Sequence, residues 1–262
     1  MDNELKFYLK VTKRLPKIRG SGVISNRLRT YYTRQKRQQV VADVLGFKMI
    51  LDPAEWVDGN MLFSPHLYEY EETAFVRSVV TKGMTFIDVG ANIGFYSLIA
   101  AGLVGDSGSV IAIEADPFNY QKLVTNIGLN PLSSIQSKNV GVSDKHEVLD
   151  LWLNTSGNRG GNTFVNDDNY VSRISVKVEC KPLLDILMGF GLVAIDFVKL
   201  DIEGFEYRVL DCFLRDASSV MYPRWFLLED SNHSNIDIVN LLLSAGYKIT
   251  KRFKHNVALQ RN

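Results

Sequence analysis

The sequence is poor in cysteine: its 262 residues hold two, Cys180 and Cys212. They lie far apart and form no CxxC or Cys/His ligand pattern, so both read as reduced core residues. No apolar run reaches the ~18–20 residues that span a bilayer. The opening, MDNELKFYLK, lacks the apolar stretch and small-residue cleavage site of a secretory leader,. These absences together predict a cytoplasmic protein. Internal repeats and low-complexity tracts are missing as well. What remains is an ordinary globular balance, 46% hydrophobic and 23% charged,. The length suits one large α/β domain with an extension.

Charge of one sign is scarce only locally. Residues 1–40 hold eleven Lys or Arg against Asp2 and Glu4, a segment of +9 on a chain whose remainder is −8. Leu5, Tyr8, Leu9, Leu15, Ile18, Leu28, Tyr31 and Tyr32 interleave with those charges. The pattern predicts basic helices broken between Pro16 and Gly22. Such a segment suits an anionic membrane surface or a polyanionic glycan. The alternatives are a solvated extension, packing on the chain's own acidic body, or a subunit interface in a homo-oligomer.

Beyond residue 80 strands and helices alternate, as in βαβ units of a mostly parallel sheet. Strands are expected at 44–52 (a pair), 85–89, 109–114, 135–142, 194–200, 224–229, 247–252 and 255–260. Helices are expected at 66–81, 93–104, 117–129, 183–189, 205–215 and 235–245. Residues 147–153 and 173–179 alternate apolar and polar, which predicts an antiparallel pair around the loop TSGNRGGNTF. In parallel sheets ligands bind beyond the carboxyl ends of the strands. Here those ends carry Asp88 to Gly94, Glu114 to Asp116, Gly141 to Asp144, Asp201 to Gly204 and Glu229 to His233.

The central motif is FIDVGANIGFYS, residues 86–97. A strand ending in Asp-Val-Gly and turning through glycines into a helix admits close backbone approach to a nucleotide-like ligand. A dinucleotide fingerprint starting at Gly90 would need glycines at 92 and 95, where Asn92 and Phe95 stand,. A phosphate-binding P-loop is also missing. Glu114 follows Asp88 by 26 residues, at the end of the next strand, where a carboxylate can accept from both ribose hydroxyls of an adenosine,. The pair reads as a site for S-adenosyl-L-methionine.

FIDVGANIGFYSLIAA, VIAIEADPFNYQKLVTNIGLN, NVGVSDK, GGNTF, FVKLDIEGFEYRVL and FLLED occur in that order. Over residues 66–230 the chain thereby resembles the FkbM-type methyltransferases, which mostly O-methylate sugars and natural products. The resemblance implies an α/β fold: a class I methyltransferase, Rossmann-like, seven-stranded, mostly parallel sheet with a reversed last strand. To it the sequence adds a small antiparallel insertion and a helical basic N-terminal extension. Residues 1–80 would form the extension and cap, and 81–262 the cofactor-binding domain. By the same resemblance Asp88, Gly90, Asn92, Gly94 and Phe95 would line the methionine part of the cofactor. Glu114 would hold the ribose, and Ala115 with Asp144 would flank the adenine. Phe205 and Tyr207 stand where smaller or aliphatic residues are frequent in that family.

A sugar hydroxyl needs a base or a metal to remove its proton. Asp201 and Glu203, in KLDIEG, and Glu229 and His233, in EDSNH, are the candidates at the rim. Crowded carboxylates raise one another's pKa, which Lys199 opposes. Glu206 reads as an acid at a helix N-terminus. The alternative to a metal-free base is a divalent ion held by Asp201, Glu229 and His233. No aromatic-basic RNA module is present, so nucleic acid is not an expected partner. The alternatives are an N-methyltransferase or a non-catalytic binding subunit of the same fold. N-methyltransferases acting on planar amino groups commonly carry an N/D-P-P-[YF] run, whereas Asp201-Ile202-Glu203-Gly204 has no proline. The intact glycines and Glu114 argue against a non-catalytic subunit. The acceptor pocket is expected from residues 1–80 and the 154–172 loop. Tyr68, Glu69 and Tyr70 are candidates to close over the cofactor. His66, His146 and His255 read as surface or edge residues.

Overall fold

The computed structural model describes residues 1–18, 20–35, 38–165, 174–230 and 238–261. Two helices open the chain, α1 (Asn3–Thr12) and α2 (Ser21–Gln35). The Asp2 carboxylate accepts the Leu5 amide at 2.8 Å and caps α1,. Strands β1 (Val40–Val44) and β2 (Phe47–Leu51) form a hairpin beginning four residues earlier than the expected pair. Its two-residue turn, Leu45-Gly46, has positive φ at both positions, 52° and 98°, matching the strand twist,. Helices α3 (Trp56–Phe63) and α4 (Tyr70–Val79) follow.

The alternating part runs β3 (Thr85–Val89), α5 (Phe95–Val104), β4 (Ser109–Glu114), α6 (Pro117–Gly128) and β5 (Ile135–Asn139). Pro117 occupies the first turn of α6, where no N–H is needed, and Asp116 caps it through the Phe118 amide,. Strands β6 (Gly141–Ser143), β7 (Glu147–Trp152) and β8 (Ser175–Pro182) form a separate three-stranded sheet in the order β6-β8-β7. The chain then continues as α7 (Leu183–Gly189), β9 (Phe197–Leu200), α8 (Glu206–Asp216), β10 (Trp225–Glu229), α9 (Ile238–Ser244), β11 (Tyr247–Arg252) and β12 (Asn256–Arg261).

The single strand expected at 135–142 is divided. Val140 donates to the Glu114 carbonyl, and Gly141 then leaves the main sheet to pair with Cys180 of β8. A Cβ on Gly141 would lie 2.4 Å from the Cys180 sulfur, so glycine permits this close approach,.

The main sheet has the order β11-β12-β10-β9-β3-β4-β5, with β12 antiparallel to both neighbours and the pairs from β10 to β5 parallel. This is the seven-stranded arrangement with a reversed last strand. Alternation along β3 sends Phe86 to the core shared with α1–α5, and Ile87 and Val89 to the core shared with α7–α9,. Phe86 stacks on its register partner Phe197, so Asp88 and its partner Lys199, two residues on, share that same face.

The basic extension belongs to this core. Leu5, Leu9 and Tyr32 are buried with Val44, Leu51, Phe63 and Phe86, while Lys6, Lys10, Lys13 and Arg14 stay exposed. Among the described residues no helix is long and apolar enough to cross a membrane.

Candidate functional site

Chain order reverses at β3. The chain leaves it toward β4 and β5 and returns to its other side as β9, which opens a crevice at the carboxyl ends of β3 and β9,. A cleft enclosing about 810 Å³ of empty space, its mouth included, lies there.

Gly90 makes the crevice narrow at its base. Its φ is 78°, and a Cβ would sit 1.8 Å from the Asp201 carbonyl oxygen, so the β3 turn and the end of β9 touch backbone to backbone,. The amides of Gly90 and Ala91 both donate to the Ile113 carbonyl, at 3.0 and 2.9 Å. Asn92 follows with φ 51°, and its amide donates to Glu114 Oε2 at 2.7 Å. The Asp116 amide donates to Glu114 Oε1 at 2.8 Å. Glu114 is thus gripped by two backbone donors, yet burial dominates and pushes its carboxyl up to about 7,. Each oxygen keeps a second acceptor position for a ligand.

Asp88 is 1% exposed. Its Oδ2 accepts the Ser97 hydroxyl at 2.6 Å, while Oδ1 is buried without a partner. Burial raises its pKa against the pull of Lys199. Lys199 donates to Asp201 Oδ2 at 2.9 Å and lies 5.1 Å from the centre of the Tyr96 ring. Burial opposes its charge, but Asp201, Asp88 and Glu69 together hold the ammonium protonated and raise its pKa. The Tyr96 hydroxyl donates to Glu69 at 2.6 Å. Glu69 has a left-handed backbone, φ 42°, and its carboxyl is raised chiefly by burial.

At the edge of the cleft one ligand atom each from Asp201, Glu203 and Glu229 lies within 4.8 Å of the others. Burial first, then repulsion from Asp201, pushes Glu203 up to about 8 and Glu229 up to about 9. Glu203 has φ 54°, an uncommon conformation for a residue with a side chain, and its carbonyl accepts the Thr163 hydroxyl at 2.6 Å,. Glu206 is a structural acid: it accepts the amides of Ile202 and Gly204 at 2.8 and 3.0 Å, closing the entry to its own helix,.

The cleft is lined by Asp88, Gly90, Asn92, Phe95, Glu114, Ala115, Asp201 and Glu203, all from the sequence-based set, with Tyr68 and Glu69. Gly94 is not among the lining residues; it starts α5 with φ 94° and packs toward Leu123. Glu229 does not line the cleft itself. Asp144 is not brought to it: β6 departs into the smaller sheet, and the carboxylate pairs with Arg208 at 2.6 Å. Tyr70 is half exposed beside Lys17. His233 lies outside the described residues.

Residues that sequence reasoning did not name individually complete the walls, four of them from the 154–172 loop expected at the acceptor pocket. Tyr96 stands one place after Phe95 in the motif. Asn119, Arg159, Gly160, Asn162 and Phe164 also line the cleft. The insertion folds over it because Trp152 bridges Thr163 and the Trp56 amide donates to Gly157. Asn162 donates to Asp116 at 2.8 Å, and Phe164 meets Phe205 at 5.5 Å. The paired glycines of GNRGGN were the available signal, since a Cβ on Gly160 would meet Val57 at 2.9 Å and Asn92 at 3.1 Å.

Comparison with known proteins agrees with this geometry. Residues 88–249 match the family described as the methyltransferase FkbM domain. The methyltransferase sdnD of Sordaria araneosa is 31% identical over 178 residues, which is 57% of this chain and 65% of that protein. The crystal structure of methyltransferase FkbM from Methylobacillus flagellatus KT superposes with a TM-score of 0.51 at 20% identity. That match covers 92% of this chain and 60% of the other. The chain therefore spans 65% of the length of the first relative and 60% of the second.

Proposed function

The chain belongs to the FkbM methyltransferase family, and from that premise we propose that it methylates a hydroxyl of a sugar, glycan or glycosylated natural product, with S-adenosylmethionine as donor. One observation carries the reading: two buried carboxylates, Asp88 and Glu114, end adjacent parallel strands in one cleft, and Asp88 Oδ1 has no partner there. An ammonium donor would satisfy that orphaned oxygen, and ribose hydroxyls would use the free acceptor positions of Glu114. The remaining acids of the cleft, Glu69, Asp201 and Glu203, favour a cationic ligand,.

S-adenosylmethionine supplies a methyl group on a positively charged sulfur. The protein's own work is to exclude water, orient the acceptor and take its proton. Asp88, Gly90, Asn92, Phe95, Glu114 and Ala115 hold the cofactor, with Gly94 shaping the turn. Glu203, beside Asp201 and Glu229, takes the acceptor proton, because burial, and then repulsion from Asp201, has raised its pKa to about 8, within the range of a general base,. Residues 1–80 and the insertion cap the cleft. The exposed basic faces of α1 and α2 hold the enzyme against an anionic membrane surface or polyanionic glycan. The lack of proline after Asp201 supports oxygen over planar nitrogen as the acceptor atom.

The test is transfer of label from S-adenosylmethionine to sugar nucleotides, glycolipids and isolated surface polysaccharide. Label on a hydroxyl oxygen is the expected result. Label found only on nitrogen would sink the O-methylation reading.

A further inference from the structure

Behind Tyr68, which lines the cofactor cleft, lies a second groove of about 640 Å³. Tyr70, Thr73 and Arg77 of α4 stand at i, i+3 and i+7, so they share the helix face that lines it,. Lys17 and His66 form the opposite wall. His66 Nε2 is 2.8 Å from the Leu15 carbonyl, which ties the segment bearing Lys17 to the groove. The Lys17 ammonium sits 3.5 Å from the centre of the Tyr70 ring,.

The groove has unanswered polar groups. Among the described residues neither Lys17 nor Arg77 pairs with a carboxylate. Thr73 is 5% exposed, and its hydroxyl has no hydrogen-bond partner. The acids of α4 and its N-cap are committed elsewhere: Glu69 to Tyr96, Glu71 to Lys251 and Glu72 to Asn256. Two cations therefore face one groove, with the Thr73 hydroxyl buried in its wall and no acidic side chain among the described residues that line it. From Tyr70 to Arg77 the helix rises by ~10 Å, room for more than one oxyanion group.

We propose that this groove binds the phosphoryl or carboxylate group of an anionic methyl acceptor. The acceptor passes Tyr68, so that its anion rests between Lys17 and Arg77 while its hydroxyl enters the cleft. The assignment to an acceptor rests on the methyltransferase reading above.

The test is calorimetry on the full chain with inorganic pyrophosphate and, separately, glucuronate. S-adenosylhomocysteine is titrated into the same samples. The expected result is binding of at least one anion, with Lys17→Ala and Arg77→Ala each weakening it by about tenfold, as for loss of a charge-assisted hydrogen bond. S-adenosylhomocysteine affinity stays unchanged in both variants, which also shows that they fold. The stronger of the two anions identifies the group as phosphoryl or carboxylate. Equal anion affinity in the wild type and the double variant, or no binding of either anion by the wild type, overturns the proposal. If the wild type binds an anion but not S-adenosylhomocysteine, the methyltransferase reading fails, and the anion is not part of an acceptor.

Discussion

Asp88 and Lys199 are register partners on adjacent parallel strands, buried on the same face at the base of the cleft. Lys199 bonds to Asp201 and lowers the pKa of Asp88, Glu203 and Glu229, so one ammonium steadies the acids of the site. Replacing it by methionine leaves buried carboxylates unopposed. Lys199→Met is expected to cost about 3–5 kcal/mol in denaturant unfolding. In the surviving folded fraction, the rise of turnover with pH moves to higher pH. An unmoved profile would mean that Lys199 does not act on the base.

With Glu114 as the proposed ribose acceptor, cofactor affinity is expected to depend on pH. Burial places its carboxyl near 7 in the free protein, and ribose hydroxyls favour the ionised form,. S-adenosylhomocysteine is therefore expected to bind more tightly at pH 8 than at pH 6. Glu114→Gln loses roughly ten- to a hundredfold in affinity, and the pH dependence with it. The sign for stability is opposite. The folded pKa lies above the usual 4.5, so this residue's contribution declines as pH rises from about 4.5 to 7,. Calorimetry and thermal unfolding at the two pH values check both signs.

The proposed removal of the acceptor proton by Glu203 would require its ionised form, which predominates only above about 8 in the free protein. Turnover is expected to rise between pH 7 and 9. Glu203→Gln lowers it by about 10²–10⁴-fold with S-adenosylhomocysteine affinity unchanged. Chelation decides between the base and an ion held by the three carboxylates: activity that survives EDTA leaves the metal-free base. Activity abolished by EDTA and restored by Mg²⁺ or Mn²⁺ selects the ion.

Gly90→Ala places a methyl group against the Asp201 carbonyl and is expected to abolish cofactor binding and lower the melting temperature sharply. Gly83→Ala has a comparable φ, 84°, but meets only the Ser107 hydroxyl oxygen, at 3.9 Å. It is expected to cost about 1–2 kcal/mol, for the backbone alone, and to keep the cofactor. Similar losses in the two variants would show that strain, not contact, makes Gly90 necessary.

Deleting residues 1–40 would uncover the core that Leu5, Leu9 and Tyr32 complete, so surface variants test the basic face better. Lys10→Gln with Arg14→Gln, which avoids negative charge at the α1 C-terminus, is expected to change the melting temperature little and to reduce co-sedimentation with anionic vesicles,. Added salt weakens the wild type in the same way, as the Debye length falls from ~10 Å at 0.1 M to ~3 Å at 1 M. Equal sedimentation of both forms removes the membrane reading.

The sequence by itself determined the alternation of strands and helices, the glycine turn at FIDVGANIGF, and the acids at the strand ends; the reversal of strand order at β3 came only with the sheet. The first three are local: hydrophobic period, glycine at positive φ and carboxylate placement are written in adjacent residues. The sequence also identified most of the cleft, because Asp88, Gly90, Glu114, Asp201 and Glu203 each lie at or just past the carboxyl end of a strand. Only the tertiary structure decided where the third strand breaks, since Gly141 leaves the sheet for a partner, Cys180, that lies 39 residues on. That departure is what takes Asp144 to Arg208 instead of the cleft. The roof of Arg159, Gly160 and Asn162, the burial of Leu5 and Tyr32, and the groove between Lys17 and Arg77 are likewise contacts between distant segments. So are the raised pKa values, because desolvation depends on what covers a carboxylate and not on its neighbours in the chain.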